Sequence, residues 1–375
     1  MCLHRVALTL TFLRFCPQAV RAFGYVADGE TAAGLYSASA DGHVRVWHPA
    51  AAGTPGECSA AVPMEADVGS LLLVSGWLFV GTAAGLVRCW NMASNARHEL
   101  AGHSGQVQAL AAALDRSLLF SGGQDMTVRA WQYNAASGQF EAAGVLAGHT
   151  RMVSCLLAVG KWLFSGSLDG TVRAWDLDTA ACAYAVEAHD GGCMALLLWQ
   201  GCLLSGGLDG KLRVWSCNDP AAAPPGTPVL QCVVTFPDCA EEAQAGAAGG
   251  GGAFMPPSQQ PRRRPAAETL RVLAFCGTLH QVSAAEAEAM LVVAYDDRSV
   301  RFYALPTFEA RGRLNLRVPL RALAPLAAGA FAGGDEGGLV KVWRFAQPGE
   351  ASPQQQGGGA QQGAFHGGGG GRRRS

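Results

Sequence analysis

Histidine, serine and aspartate recur together in this sequence, and they are the ingredients of a nucleophilic hydrolase triad. His103 precedes Ser121 and Asp125, His149 precedes Ser165 and Asp169, and His189 precedes Ser205 and Asp209. Each set closes on a tryptophan six residues after the aspartate: Trp131, Trp175 and Trp215. An active site needs one exposed nucleophile. A set repeated three times at nearly one spacing, always with a Trp, reads instead as a buried polar chain that satisfies its own groups and fixes a repeated unit. On this reading the chain is not an enzyme.

Other candidate chemistry is sparse. No Walker loop, dinucleotide fingerprint or metal-spaced cluster occurs, so no cofactor is implied. Cys276-x₃-His280 resembles half a zinc site, but the nearest upstream cysteine is Cys239, too distant to complete it. The glycine runs at 246–252 and 367–371 sit in low-complexity sequence, not between a strand and a helix. The Arg triplets at 262–264 and 372–374 read as solubilising tails, with contact to RNA or an anionic partner as the sharper alternative.

Stepping along the chain, one pattern returns. LYSASADGHVRVW (35–47), LFSGGQDMTVRAW (119–131), LFSGSLDGTVRAW (163–175) and LLSGGLDGKLRVW (203–215) are copies. Weaker copies end at Trp90, Tyr303 and Trp343. The terminal aromatics are spaced 43, 41, 44, 40, 88 and 40 residues apart. A period near 42 predicts four-stranded propeller blades. The long gap does not hide an eighth blade. Residues 218–268 lack the turn and the closing Trp, and contain Pro224-Pro225, Gly249 to Gly252 and Pro261 to Pro265. Such composition buries too little apolar area to offset the entropy of ordering it. One strand is expected there, Val229 to Phe236.

The expected fold is therefore all-β: a seven-bladed propeller over residues 1–345, with a flexible insertion at 237–268 and a disordered Gly/Gln-rich tail at 346–375. In the fourth unit, strands are expected at Met152 to Val159, Trp162 to Ser165, Thr171 to Trp175 and Cys182 to Val186. Sequence after Trp343 offers no fourth strand. The alternating Arg5 to Leu13 segment is expected to supply it and close the ring.

Composition agrees. Gly is 49 of 375 residues, which suits short strands and tight turns. With 28 basic and 29 acidic side chains the net charge is -1, which excludes a globally basic nucleic-acid binder. No apolar run is long enough to span a membrane. Val6 to Leu13 has the outline of a signal peptide, but its alternation and Arg14 assign it to a strand. Twelve cysteines without a Cys-x-x-Cys pair, and no Asn-x-Ser/Thr sequon, point to an intracellular setting, cytoplasmic or nuclear.

The copies resemble WD-repeat propellers. Gly102-His103, Gly148-His149 and Trp175-Asp176 match that family's signature, and Ala188-His189 matches with Ala for Gly. The resemblance implies a structural tetrad of His, Ser, Asp and Trp. Three repeats carry it complete, in the sets named above. The first keeps Ser37, Asp41 and Trp47 with Cys16 at the His position; the second, sixth and seventh have mostly lost it. Val293 stands at the Ser position of the sixth, so Asp297 is expected to matter much less than His149.

A narrower resemblance covers most of the chain. Glu65 to Ser70, Ala101 to Val107, Ser154 to Asp178 and Arg301 to Arg313 are similar to the CCCH-type zinc-finger WD-repeat proteins of plants and algae. In that family one or two CCCH fingers precede the propeller. This sequence contains no such array and begins where the finger region would end. RNA binding through a finger is thus not implied.

The resemblance implies binding as the function. Partners of WD-repeat proteins usually dock on the face made by loops entering the inner strands and by turns before the third strands. Here Gln106, Gln124, Arg151, Met152, Leu168, Asp190, Leu208 and Asp296 map there. Leu168 and Leu208 are equivalent in adjacent repeats and could seed an interface core or simply pack their turns. A scaffold for proteins or short peptides is the leading expectation, as a monomeric propeller within a complex. An RNA-associated post-transcriptional regulator and a substrate receptor of a cullin-type ubiquitin ligase are the alternatives. The second is weakened because Trp175-Asp176 continues as Leu177-Asp178 rather than x-Arg. A basic residue stands two before each terminal aromatic: Arg45, Arg88, Arg129, Arg173, Arg213, Arg301 and Lys341. An encircling nucleic-acid surface is the sharp reading; a packed stem with a paired head is the favoured one.

Overall fold

The computed structural model describes residues 8–26, 34–47, 58–217, 230–236, 270–281, 287–326 and 329–345. They form seven four-stranded antiparallel sheets. Innermost strands touch in a closed cyclic order, each blade meeting the next and the seventh meeting the first. The only helical turn among the described residues is the 3₁₀ turn Leu114–Arg116.

Blade 4 shows why the sequence folds this way. Its strands are Val153–Val159, Trp162–Ser167, Thr171–Asp176 and Ala181–Glu187, within two residues of the expected limits. The second strand is buried at Leu163 through Ser167, because neighbouring blades cover both faces. That is why it reads as a continuous apolar and small-residue run. The outermost strand, Ala181–Glu187, meets solvent and alternates. Every inner strand carries a bulge just after its first residue. Such a bulge re-aims the flanking side chains.

Ring closure comes from the N-terminus. Leu8–Phe15 pairs antiparallel with Leu339–Phe345, from Leu8 opposite Phe345 to Phe15 opposite Leu339. Cys16 N–H then donates to the Gly338 carbonyl at 2.7 Å. The expected closing segment, 5–13, is met from Leu8 onward and runs two residues further, to Phe15; residues 5–7 lie outside the described residues.

The seventh blade's core joins that of the sixth. Phe302, Phe331, Trp343 and Phe345 pack together, with Phe331 and Trp343 stacked at 5.2 Å. The outer strand of blade 5 is Leu230–Phe236, and the inner strand of blade 6 begins at Val272. The insertion 237–268 and the tail 346–375 lie outside the described residues. Replacing 237–268 by a short Gly-Ser linker should leave the melting transition unchanged, since loop-closure cost varies slowly with length. A broadened or lost transition on thermal unfolding would show that the segment carries structure.

Candidate functional site

The three complete His/Ser/Asp/Trp sets are brought together by four pieces of each blade. The His sits on the loop entering the inner strand. The Ser lies on the second strand, the Asp on the turn that follows, and the Trp at the end of the third strand. In blade 4, Trp175 Nε1–H donates to Ser165 Oγ at 2.8 Å. His149 Nε2 lies 2.7 Å from the same oxygen, and its Nδ1 lies 2.9 Å from Asp169. Blades 3 and 5 repeat these contacts. Trp131 and Trp215 donate to Ser121 and Ser205 at 2.9 and 2.8 Å. His103 and His189 lie 2.8 and 2.7 Å from those serines, and each is 2.9 Å from its Asp.

One proton arrangement satisfies every group. Trp N–H goes to Ser oxygen, Ser O–H goes to His Nε2, and His Nδ1–H goes to the carboxylate. The aspartates also hold their turns, as Asp169 takes the N–H groups of Thr150 and Thr171. All three serines are fully buried, at 0% exposure, so no substrate reaches their hydroxyls.

Electrostatics follow from this geometry. Burial lowers the His149 pKa against the pull of Asp169, which favours the neutral ring. Burial pushes the Asp209 carboxyl up, but His189, the Lys211 N–H and Arg213 outweigh it and hold it at about 2. The carboxyls of Asp125 and Asp169 are lowered in the same way. A depressed folded pKa stabilises above the unfolded value and loses that stabilisation as pH falls. Acid should therefore weaken the fold twice: below about pH 6.5 as the unfolded His149 gains its proton, and again from about pH 4 to about pH 2 at the carboxylates. For Asp209 the second loss is about 2 kcal/mol. Melting temperature followed from pH 7 to 2 should fall less steeply at the acid end for Asp209→Asn than for wild type. Parallel curves would refute the linkage.

The incomplete sets have substitutes. In blade 1, Cys16 is fully buried, and Asp41 is clasped by Arg45 at 2.6 and 3.2 Å. In blade 7, Lys341 pairs with buried Asp335 at 2.9 Å. In blade 6, Asp297 has partners although no His or Ser completes a set there. Its carboxylate accepts from the Ser299 N–H at 2.9 Å and from Arg313 at 3.0 Å, and it faces buried Arg301 at 3.7 Å. Arg301 also reaches Ser299 Oγ at 3.4 Å and lies 5.0 Å over the Tyr295 ring, so it keeps partners besides this carboxylate.

The seven basic residues are mostly paired in this way. Arg88 lies between Glu65 and Glu99 at 3.0 Å each, and Arg213 meets Asp209 at 3.0 Å. Arg129 and Arg173 differ: neither has a carboxylate partner among the described residues, and the Nε of each is buried without a hydrogen bond. Their guanidinium groups lie against Gly102 and Gly148, where an added Cβ would come within 2.7 and 2.6 Å of Nη1. Ala188 has that Cβ, and Arg213 turns instead to Asp209 and the Ala188 carbonyl.

The docking candidates fall at one end of four consecutive blades. Gln124 N–H donates to the Gln106 carbonyl at 2.8 Å, and Leu168 N–H to that of Met152 at 3.0 Å. Leu208 N–H reaches Gly192 at 2.9 Å, and Asp296 N–H reaches Arg271 at 3.1 Å. Arg151 donates to the Leu168 carbonyl, and the Asp190 N–H meets Asp209. Leu168 and Leu208 are half-buried. Both lean on Gly192: a Cβ there would meet Leu168 at 2.9 Å and Leu208 at 3.5 Å.

Two features escaped the sequence reading. Met126 and Arg298 hold the left-handed position of the turn between second and third strands, both at φ 66°, where the other five blades use Gly. Met126 is 44% exposed. Its only signal was Asp-Met in place of Asp-Gly. The second is a cleft of about 280 Å³ between blades 1 and 2, lined by Val62, Leu78, Val80, Trp90 and Arg97. Val80 replaces the Ser, so the indole loses its buried acceptor. Trp90 donates to Asn95 at 2.9 Å instead, with Arg97 stacked 4.2 Å above it.

Among the described residues no group of three His, Cys, Asp or Glu side chains could hold a metal, and no helix is long and apolar enough to cross a membrane. Cys276 is buried; the side chain of His280 lies outside the described residues.

Repeat, ring closure and buried sets together define a WD-repeat β-propeller. The WD domain, G-beta repeat family matches residues 94–132, 140–176 and 181–216. The fold is that of the WD40 repeats of RRP9, with a TM-score of 0.68 and 15% identity over 91% of this chain and 99% of that one. The WD40 propeller of Doa1 superposes with a TM-score of 0.64 at 16% identity, covering 92% and 98%.

Over the propeller, the chain is similar to plant CCCH zinc-finger proteins. It is 32% identical to zinc finger CCCH domain-containing protein 17 of Oryza sativa subsp. japonica over 84% of this chain and 61% of that protein. It is 34% identical to zinc finger CCCH domain-containing protein 48 of Arabidopsis thaliana over 83% and 61%. The chain thus spans about three fifths of the length of these relatives.

Proposed function

We propose that the propeller is a non-enzymatic scaffold that binds partner proteins or peptides on the end of the ring carrying Gln106, Gln124, Arg151, Met152, Leu168, Asp190, Leu208 and Asp296. The observation that carries this reading is the pair Leu168 and Leu208, which both approach Gly192 from adjacent blades. Two half-exposed leucines ringed by Arg151 and Asp190 make a small apolar core with a polar rim, the anatomy of a protein interface. Catalysis finds no support, because the only recurrent nucleophile is consumed in buried chains.

Leu168→Glu with Leu208→Glu should abolish capture of specific partners in affinity purification, with the melting curve unchanged. Identical partner sets from wild type and the double variant would sink the reading. An RNA-associated role rests only on the resemblance to CCCH zinc-finger proteins. Five of the seven basic residues engage carboxylates, which leaves little free charge for phosphates. RNA binding whose affinity falls steeply with salt would favour that role instead.

A further inference from the structure

At six of the seven junctions between blades, the inner strands meet through small or branched apolar groups. The residue opposite the second-strand position held by Gly122 or Gly206 is Ala or Ser, as at Ala109 and Ala195. The first residue of the inner strand is Val or Leu, as at Val107 and Val153. The junction of blades 4 and 5 departs from both rules at once. Cys155 takes the Ala position of blade 4, opposite Gly166, and Cys193 takes the Val position of blade 5, opposite Gly207.

These two departures meet. Cys155 Sγ lies 3.9 Å from Cys193 Sγ. Gly166 sits beneath both sulfurs: a Cβ there would lie 2.6 and 2.7 Å from them, so glycine leaves the space in which they can approach. Cys193 is buried, whereas Cys155 is only half-buried. No other pair of described cysteine sulfurs lies in contact; Cys89 and Cys276 are buried alone, and Cys58, Cys182 and Cys232 stand on the exposed outer strands.

We propose that Cys155 and Cys193 form an oxidisable dithiol site whose reactant is hydrogen peroxide and whose product is a disulfide tying blade 4 to blade 5. The Cys155 thiolate attacks the terminal peroxide oxygen. The O–O bond breaks, the displaced oxygen leaves as water after protonation, and Cys155 becomes a sulfenic acid. Cys193 sulfur then attacks that sulfur, the S–O bond breaks, and a second water leaves. Two thiols are oxidised by two electrons and one hydrogen peroxide is reduced to two waters. The sulfurs must close from 3.9 Å to about 2 Å to form the bond. The contact with Cys155 and burial hold the Cys193 thiol well above its ordinary value. Cys155, the only one of the two that is partly exposed, is the sulfur that meets the oxidant first. The bond would lie one residue beneath Gly192, the floor of the leucine pair, yet its formation does not rest on the docking reading.

The test uses the full chain treated with hydrogen peroxide and digested without reduction. A peptide joining Cys155 to Cys193, lighter by two hydrogens and separated by dithiothreitol, is the expected product. It should persist when Cys58, Cys182 and Cys232 are all replaced by Ser. Cys155→Ala and Cys193→Val install the residues that neighbouring blades use, so both should fold, and each should lose the cross-linked peptide. Recovery of both cysteines in separate peptides, as free thiols or as sulfinic acids, while the exposed cysteines are oxidised, overturns the proposal.

Discussion

Removal of residues 1–15 should open the ring and leave the protein aggregated or without a cooperative melting transition. The strand Leu8–Phe15 is the outer member of the last blade, although it comes first in the chain. Without it, Leu339–Phe345 presents a row of unpaired N–H and C=O groups, a template for another chain. Six residue pairs of ladder disappear. At about 0.5–1.5 kcal/mol net for each hydrogen bond, the loss is several kcal/mol. That is a large part of the roughly 5–15 kcal/mol that holds an ordinary domain together. Size-exclusion chromatography and a thermal melt of the truncated chain measure it. Adding a peptide of residues 1–15 should recover part of the lost stability by filling the same edge. A truncated chain that stays monomeric and melts with the wild type would show that the ring is closed by other means.

His149→Ala should cost roughly 1–3 kcal/mol, because Ser165 and Asp169 lose a buried partner and neither can turn to water. The ring also packs edge-on to Trp175 at 6.4 Å, so its removal leaves a hole beside the indole. Glu99→Ala is the proper comparison, since Glu99 is half-exposed in a surface pair with Arg88 worth about 0–1 kcal/mol. Asp297→Ala is a less simple control, because Arg301 and Arg313 both use that carboxylate. Thermal unfolding of His149→Ala and Glu99→Ala alongside wild type gives the ordering. If the two variants melt together, the buried chain contributes nothing. If His149→Ala loses its partners while its melt is unchanged, the histidine serves binding instead. Binding that declines only in proportion to unfolding is the expected outcome.

Much of this protein was written locally. Strand limits in blade 4 follow from alternation and from Asp-Gly turns, because period-two patterning and turn chemistry depend only on near neighbours. The seven-fold count follows from the spacing of terminal aromatics, which repeats because every blade solves the same packing problem. The tetrads were legible for the same reason: His149, Ser165, Asp169 and Trp175 recur as a unit in three blades. Even ring closure could be inferred, from a missing strand at one end and a spare one at the other.

What the tertiary structure decided are the contacts between blades, where residues far apart in sequence meet. Arg129 and Arg173 needed the neighbouring Gly102 and Gly148 to lie flat, which no spacing announces. Asp297 gained Arg313 from the outer strand of its own blade, without a complete tetrad. Trp90 turned outward because Val80 offers no acceptor, and a cleft opened in its place. Leu168 and Leu208 became neighbours only through Gly192, and Cys155 met Cys193 only because the fourth and fifth blades stack. A repeat pattern specifies what each unit buries. Which side chains face one another across a junction depends on how the units close on themselves, and that is a property of the ring.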